Sequence, residues 1–144
     1  MERDVEKVAT VVVDAAFHIY KDLGPGLLES VYEVVLEQSL AKRGLYVERQ
    51  KAVSFEYEGI HFENKLFLDM LVNKLLVVEL KSVEKFATIH SKQLLTYLRL
   101  SQKSLGLLIN FNALTFKEGC RRIANNHIPI SSSPLTINQK PDLL

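Results

Sequence analysis

Three charged residues, Asp69, Glu79 and Lys81, interrupt an otherwise apolar stretch that is broken elsewhere only at Asn73-Lys74. Burying charges in a β core is expensive unless they pair with one another or bind a metal. Glu79 and Lys81 are two apart, so on one strand their side chains share a face. Two carboxylates converging there make a hard, oxygen-rich site suited to Mg²⁺, for which Mn²⁺ can substitute. A neighbouring lysine can stabilise charge developing on a phosphate or help to orient an attacking water. The same three residues also suit a buried acid–lysine ion pair that serves packing alone, and the hairpin by itself does not separate these readings.

Parity sharpens the question. Opposed residues of an antiparallel hairpin share a face, and their numbers sum to a constant. A plain two-residue turn at Asn73-Lys74 would set Asp69 against Val78 and turn it away from Glu79. A shared site requires an odd loop or a bulge, most simply the three-residue loop Asn73-Lys74-Leu75, which sets Asp69 opposite Glu79.

Two helical pairs add to the pattern. Glu29 and Tyr32 lie three apart near the start of a helix, and Gln93 and Tyr97 lie four apart on a later one, so each pair shares a face. Singly, each is an ordinary surface or capping pair, and an acid at a helix start is already explained by the helix dipole. His90 is a lesser candidate. Cys120, the one cysteine, excludes intramolecular disulfides and thiolate clusters. Arg121 and Arg122 beside it could lower its pKa, although a plain structural thiol is the simpler reading.

The elements that must position these residues follow from periodicity. Residues 5–23 carry Val5, Val8, Val12, Ala15, Ala16, Ile19 and Leu23 at helical spacing, and Gly24-Pro25-Gly26 ends that helix. A second helix is expected over 27–43, with Leu28, Val31, Val35 and Leu40 inward. Strands are expected over 47–57, from 60, over 67–72, over 75–80 and over 105–109, with a helix over 91–101. The strand–helix–strand order around that last helix implies a parallel crossover. Residues 117–126 suggest a short helix despite Gly119. The Ser-, Pro- and Asn-rich segment 128–144 reads as a poorly ordered tail to a domain spanning 1–127.

The 144 residues suit one domain, with 47% hydrophobic and 24% charged residues. No apolar run reaches the roughly 18 residues that span a bilayer. The first seven residues are mixed in charge without a signal-peptide core, so a cytoplasmic protein with no membrane partner is expected. A net charge of +1 gives no bulk argument for a polyanionic partner. Phosphate contacts would fall to local basic residues such as Lys42, Arg43, Arg49, Lys51, Lys85, Lys92, Arg99 and Lys103. No glycine-rich loop follows a strand, which removes support for a nucleotide-dependent oxidoreductase.

Gly26-Leu-Leu-Glu29-Ser-Val-Tyr32 matches the GxxExxY signature, and residues 12–123 resemble the GxxExxY proteins, small members of the PD-(D/E)XK nuclease superfamily. The shared motifs include Gly24-Pro-Gly, Asp69, Val78-Glu-Leu-Lys81, Gln93-Leu-Leu-Thr-Tyr97 and Gly106 to Phe111. One departure is Tyr20, where many relatives are expected to carry histidine. The resemblance implies an α/β fold with a central mixed sheet flanked by helices, of restriction-endonuclease-like type. It implies Asp69 and Glu79 as metal ligands, Lys81 as the catalytic lysine and Glu29 as the helix-borne acid. Gln93 would join the catalytic set, with Tyr32 and Tyr97 bordering the site or contacting nucleic acid. The implied activity is Mg²⁺-dependent phosphodiester hydrolysis, on DNA ahead of RNA. The competing class is a silent nuclease fold that binds nucleic acid or a protein, and homo-oligomerisation stays open.

Overall fold

A computed structural model describes residues 2–126, and the segment expected as a tail lies outside the described residues. The helix α1, Glu2–Leu23, buries Val5, Val8, Val12, Ala15, Ala16 and Ile19, the apolar stripe expected of it. Leu23 at its end is exposed. The helix stops where Gly24 takes a φ of +70°, a conformation open to glycine, and the Gly24 amide still reaches the Tyr20 carbonyl at 2.8 Å.

The next helix, α2, runs Glu29–Lys42 and keeps only part of the expected stripe inward, with Leu40 buried and Val35 half-buried against the core. Tyr32, Glu33, Leu36 and Leu40 are buried, while Leu28 and Val31 stay exposed. Val31, Tyr32, Val34, Val35, Leu36 and Leu40 put apolar residues nearly all round the helix, so periodicity alone does not choose the face. The Tyr32 ring decides it by stacking on Phe111, with centroids 4.5 Å apart and planes within 6°.

Among the described residues five strands follow: β1 Val47–Tyr57, β2 Ile60–Val72, β3 Leu76–Lys81, β4 Leu105–Asn110 and β5 Cys120–Ala124. The sheet order is β1-β2-β3-β4-β5, parallel only between β3 and β4. Between those two strands runs α3, Thr88–Ser101, as the expected crossover. β3 and β4 are buried almost throughout, the condition of a strand covered on both faces. On one face α1 and α2 pack over Met70, Val78, Leu80, Leu107 and Ile109. On the other, Leu94 and Leu98 of α3 pack over Leu71, Val77 and Leu108. Each fully buried leucine contributes about 2 kcal/mol relative to exposure.

The expected helix over 117–126 is instead a turn and the edge strand β5. The Asn110 amide donates to the Gly119 carbonyl at 2.7 Å, and a Cβ on Gly119 would sit 2.4 Å from the Asn110 carbonyl oxygen. Gly119 thus marks a close backbone approach, and the pairing with β4 overrides local helix propensity.

Candidate functional site

The hairpin of β2 and β3 places the acids. Asn73 and Lys74 take φ of +50° and +56°, and the Leu75 amide closes the turn on the Val72 carbonyl at 3.0 Å. Asn73 tolerates this conformation and ties the turn to β1: its side chain accepts from the Tyr46 amide, and its own amide donates to the Tyr46 carbonyl, both at 2.7 Å. Leu75 stands outside the ladder, which resumes as Val72↔Leu76, Leu71↔Val77 and Met70↔Val78. The loop is therefore odd, and the count carries on to Asp69 opposite Glu79.

At that row the ladder changes character. The Asp69 amide donates to Glu79 Oε2 at 2.8 Å, and the Leu80 amide donates to Asp69 Oδ2 at 2.9 Å. Side-chain oxygens thus take amide protons that a regular ladder would give to carbonyls. Glu79 is only 4% exposed, and burial followed by the neighbouring Asp69 charge pushes its carboxyl up to about 8. The Asp69 amide and Lys81 oppose that rise. Asp69 is raised as well, mainly by burial, with the Leu80 amide opposing.

Around this pair stand groups from two helices. Lys81 Nζ donates to Gln93 Oε1 of α3 at 3.3 Å. Tyr97, one turn further along α3, has its hydroxyl pKa raised by burial and then by the Glu79 and Asp69 charges. Glu29 opens α2 at the exposed rim, its carboxyl raised by burial and by Asp69 and lowered by Lys81 and the Ser82 amide. The structure therefore gathers Glu29, Asp69, Glu79, Lys81, Gln93 and Tyr97 around one locus.

Tyr32 lies elsewhere in character. It is fully buried, and its hydroxyl donates to the Gly24 carbonyl at 2.6 Å and accepts from the Leu27 amide at 3.2 Å. It fixes the turn from which Glu29 projects. His90 is a cap, with Nδ1 accepting from the Ala87 amide at 3.1 Å. Tyr20 braces the fold by donating to the Ala113 carbonyl at 2.6 Å. Burial raises the Cys120 thiol pKa, the opposite of an arginine-activated thiolate. The adjacent Arg122 pairs with Glu6, and Arg121 lies over the Phe86 ring. Of the basic residues considered for phosphate contact, Arg43 faces Asp14, Lys51 faces Glu48, and Arg49 faces Glu33 and Glu37.

Two members were missed from sequence. Glu33 is 7% exposed and adjoins Asp69 electrostatically, while Gln50 of β1 donates from Nε2 to Glu33 Oε1 and Oε2 at 3.2 and 3.4 Å. The spacing of four from Glu29 was a usable signal for Glu33. Gln50 had none, being one polar residue in a strand.

Among the described residues no three His, Cys, Asp or Glu side chains form a ready-made coordination shell. Two carboxylates nevertheless suit Mg²⁺, which keeps several waters and is commonly held by one or two acids plus substrate oxygens. A buried carboxyl raised to about 8, with a second acid across the row, is the electrostatic setting a divalent cation relieves.

A family model described as the PD-(D/E)XK nuclease superfamily matches residues 6–123. Comparisons with curated proteins and with solved structures gave no match.

Proposed function

Because the chain belongs to the PD-(D/E)XK nuclease superfamily, we propose that it is a divalent-metal-dependent phosphodiesterase acting on DNA ahead of RNA. Within that superfamily the Gly26, Glu29 and Tyr32 spacing supports the GxxExxY group. The observation that carries the reading is the Asp69–Glu79 pair, two acids facing each other across the hairpin, with Lys81 two residues beyond on the same strand.

Asp69 and Glu79 would hold Mg²⁺ or Mn²⁺, and such an ion supplies Lewis acidity at a phosphate and lowers the pKa of water. Lys81 brings a cation to the same locus, and its contact with Gln93 limits where the ammonium can swing. There it counters negative charge that grows on the phosphate oxygens as the bond is attacked. Glu29, on the exposed rim with a raised pKa, is the group placed to exchange a proton with an incoming water or leaving oxygen. Tyr97 borders the acids from α3 and offers a hydroxyl or a ring face to the nucleic acid. Among the described residues no helix is long and apolar enough to cross a membrane.

A cleavage screen tests the proposal, using single- and double-stranded DNA and RNA with Mg²⁺ or Mn²⁺. Asp69→Asn and Lys81→Met, purified in parallel, serve as controls. Metal-dependent cleavage by wild type that both variants lose is the expected result. Cleavage absent from every substrate, or equal in all three proteins, overturns it.

A further inference from the structure

Gln50 is a non-glycine residue with a φ of +49°, in the left-handed region that side chains seldom adopt inside a strand. Its place in the register is specific. The pairs Arg49↔Met70 and Lys51↔Leu68 bracket it, so Gln50 stands opposite Asp69 as Glu79 does from the other side.

The strands turn over at this row. In a regular strand, residues an even number apart share a face. Val47 and Val53 of β1 are six apart, yet Val47 packs with the α1–α2 cluster and Val53 with the α3 cluster. Met70 and Leu68 of β2 are two apart and divide in the same way. The β1–β2 ribbon therefore rolls from one face to the other between these pairs, and Gln50 and Asp69 are the two residues at the roll. Strained backbone of this kind persists where its surroundings over-determine it.

The surroundings are on hand. Glu33 of α2, nearly fully buried, accepts from Gln50 Nε2 and from Arg49 Nε, the latter at 3.3 Å. Gln50 faces Asp69 across this row, and its side chain is among the groups that restrain the rise in the Asp69 pKa. One carboxamide thus lies between a helix carboxylate that anchors it and the strand carboxylate beside Glu79.

We propose that Gln50, anchored by Glu33, is a positioning residue that aims the Asp69 carboxylate into the metal-binding site. The proposal rests on the metal-dependent reading above and adds a residue to it. Gln50 acts through Asp69, as partners that orient metal ligands do, and loss of such a partner typically weakens metal binding about 10- to 100-fold.

The test measures Mn²⁺ binding by the protein alone, from the free-ion paramagnetic resonance signal, beside the melting temperature of each metal-free variant. Gln50→Met keeps the side chain's length without its donor. Gln50→Gly removes the side chain and relieves the positive φ. Both variants are expected to keep the fold and to bind Mn²⁺ at least about 10-fold more weakly than wild type. A merely structural Gln50 would lower the metal-free melting temperature and leave affinity unchanged. Wild-type affinity in either folded variant overturns the proposal. Asp69→Ala, run alongside, separates the two readings. Lost binding there with normal binding in the Gln50 variants sinks the positioning role alone, whereas undiminished binding in Asp69→Ala sinks the metal site and the positioning role together.

Discussion

Asp69 and Glu79 each close the strand that carries the other: Glu79 Oε2 accepts the Asp69 amide, and Asp69 Oδ2 accepts the Leu80 amide. Backbone amides thereby fix both acids. Asp69→Asn and Glu79→Gln keep an acceptor oxygen for those amides, so both variants should fold. Without metal they should lie within about 1 kcal/mol of wild type or above it, because a buried carboxyl has been replaced by a neutral amide. An ion at a hundred times its Kd adds about 2.7 kcal/mol to a protein that binds it only when folded. Wild type should show that gain with Mn²⁺ in a thermal melt, and each variant should lose most of it. Equal gains in all three proteins would remove both residues as ligands.

The pH dependence follows from the raised acids. The Glu79 carboxyl stands at about 8 in the folded protein against an ordinary value near 4.5, so the folded state holds a proton that the unfolded chain gives up. That contribution to stability is fully present below the ordinary carboxylate range and is lost as pH rises through about 8. Asp69 and Glu29 are raised too and act in the same direction. Metal binding requires the ionised acids, so the Mn²⁺-induced rise in melting temperature should grow over the same window. Melts from about pH 5 to about pH 8.5 should show metal-free stability falling more steeply in wild type than in Glu79→Gln. Parallel pH profiles for the two proteins would refute the assignment to Glu79.

How much of this was legible in the sequence depends on the kind of signal each residue carried. Asp69, Glu79 and Lys81 stood out because charges are costly in an apolar hairpin, and strand parity then required the odd loop that Asn73-Lys74-Leu75 provides. The parallel crossover through α3 followed from element order, and the mixed sheet from the resemblance to the nuclease superfamily. The inward face of α2 followed only in part, at Leu40 and Val35, since apolar residues surround that helix and the stacking of Tyr32 on Phe111 is set by tertiary packing. β5 was hidden because its pairing partner, β4, lies ten or more residues away. Gln50 was invisible, because a positive φ at a non-glycine residue leaves no trace in composition or periodicity.

The two tyrosines singled out by the sequence should behave differently. Tyr32→Phe removes a buried hydroxyl that serves the Gly24 carbonyl and the Leu27 amide, at a cost of about 1–3 kcal/mol. Any effect on cleavage would come through the turn that sets Glu29. Tyr97 is half-buried beside the acids, so Tyr97→Phe should leave stability within about 0.5 kcal/mol while slowing cleavage. Urea melts paired with rate measurements separate the cases. A stability loss in Tyr97→Phe as large as that in Tyr32→Phe would count against a role for the Tyr97 hydroxyl at the site.

Two glycines of the β4 region differ in what a methyl group would meet. At Gly106 the added Cβ lies 3.0–3.2 Å from the end of the buried Leu94 side chain, which must give by a few tenths of an ångström. At Gly119 it meets the Asn110 carbonyl oxygen at 2.4 Å and the Ala113 Cβ at 2.8 Å, neither of which can move without shifting backbone. Asn110 in turn holds Val83 through both side-chain atoms, Oδ1 accepting its amide at 3.1 Å and Nδ2 donating to its carbonyl at 2.8 Å. Val83 is two residues beyond Lys81, so a displaced Asn110 disturbs the strand end that carries the lysine. Gly106→Ala should cost about 1–3 kcal/mol, the ordinary range for overpacking. Gly119→Ala should cost more than about 3 kcal/mol and should reduce cleavage even at temperatures where the protein stays folded. Urea denaturation midpoints decide the order. A Gly119→Ala protein as stable as Gly106→Ala would show that the approach of β5 to Asn110 is looser than 2.4 Å implies.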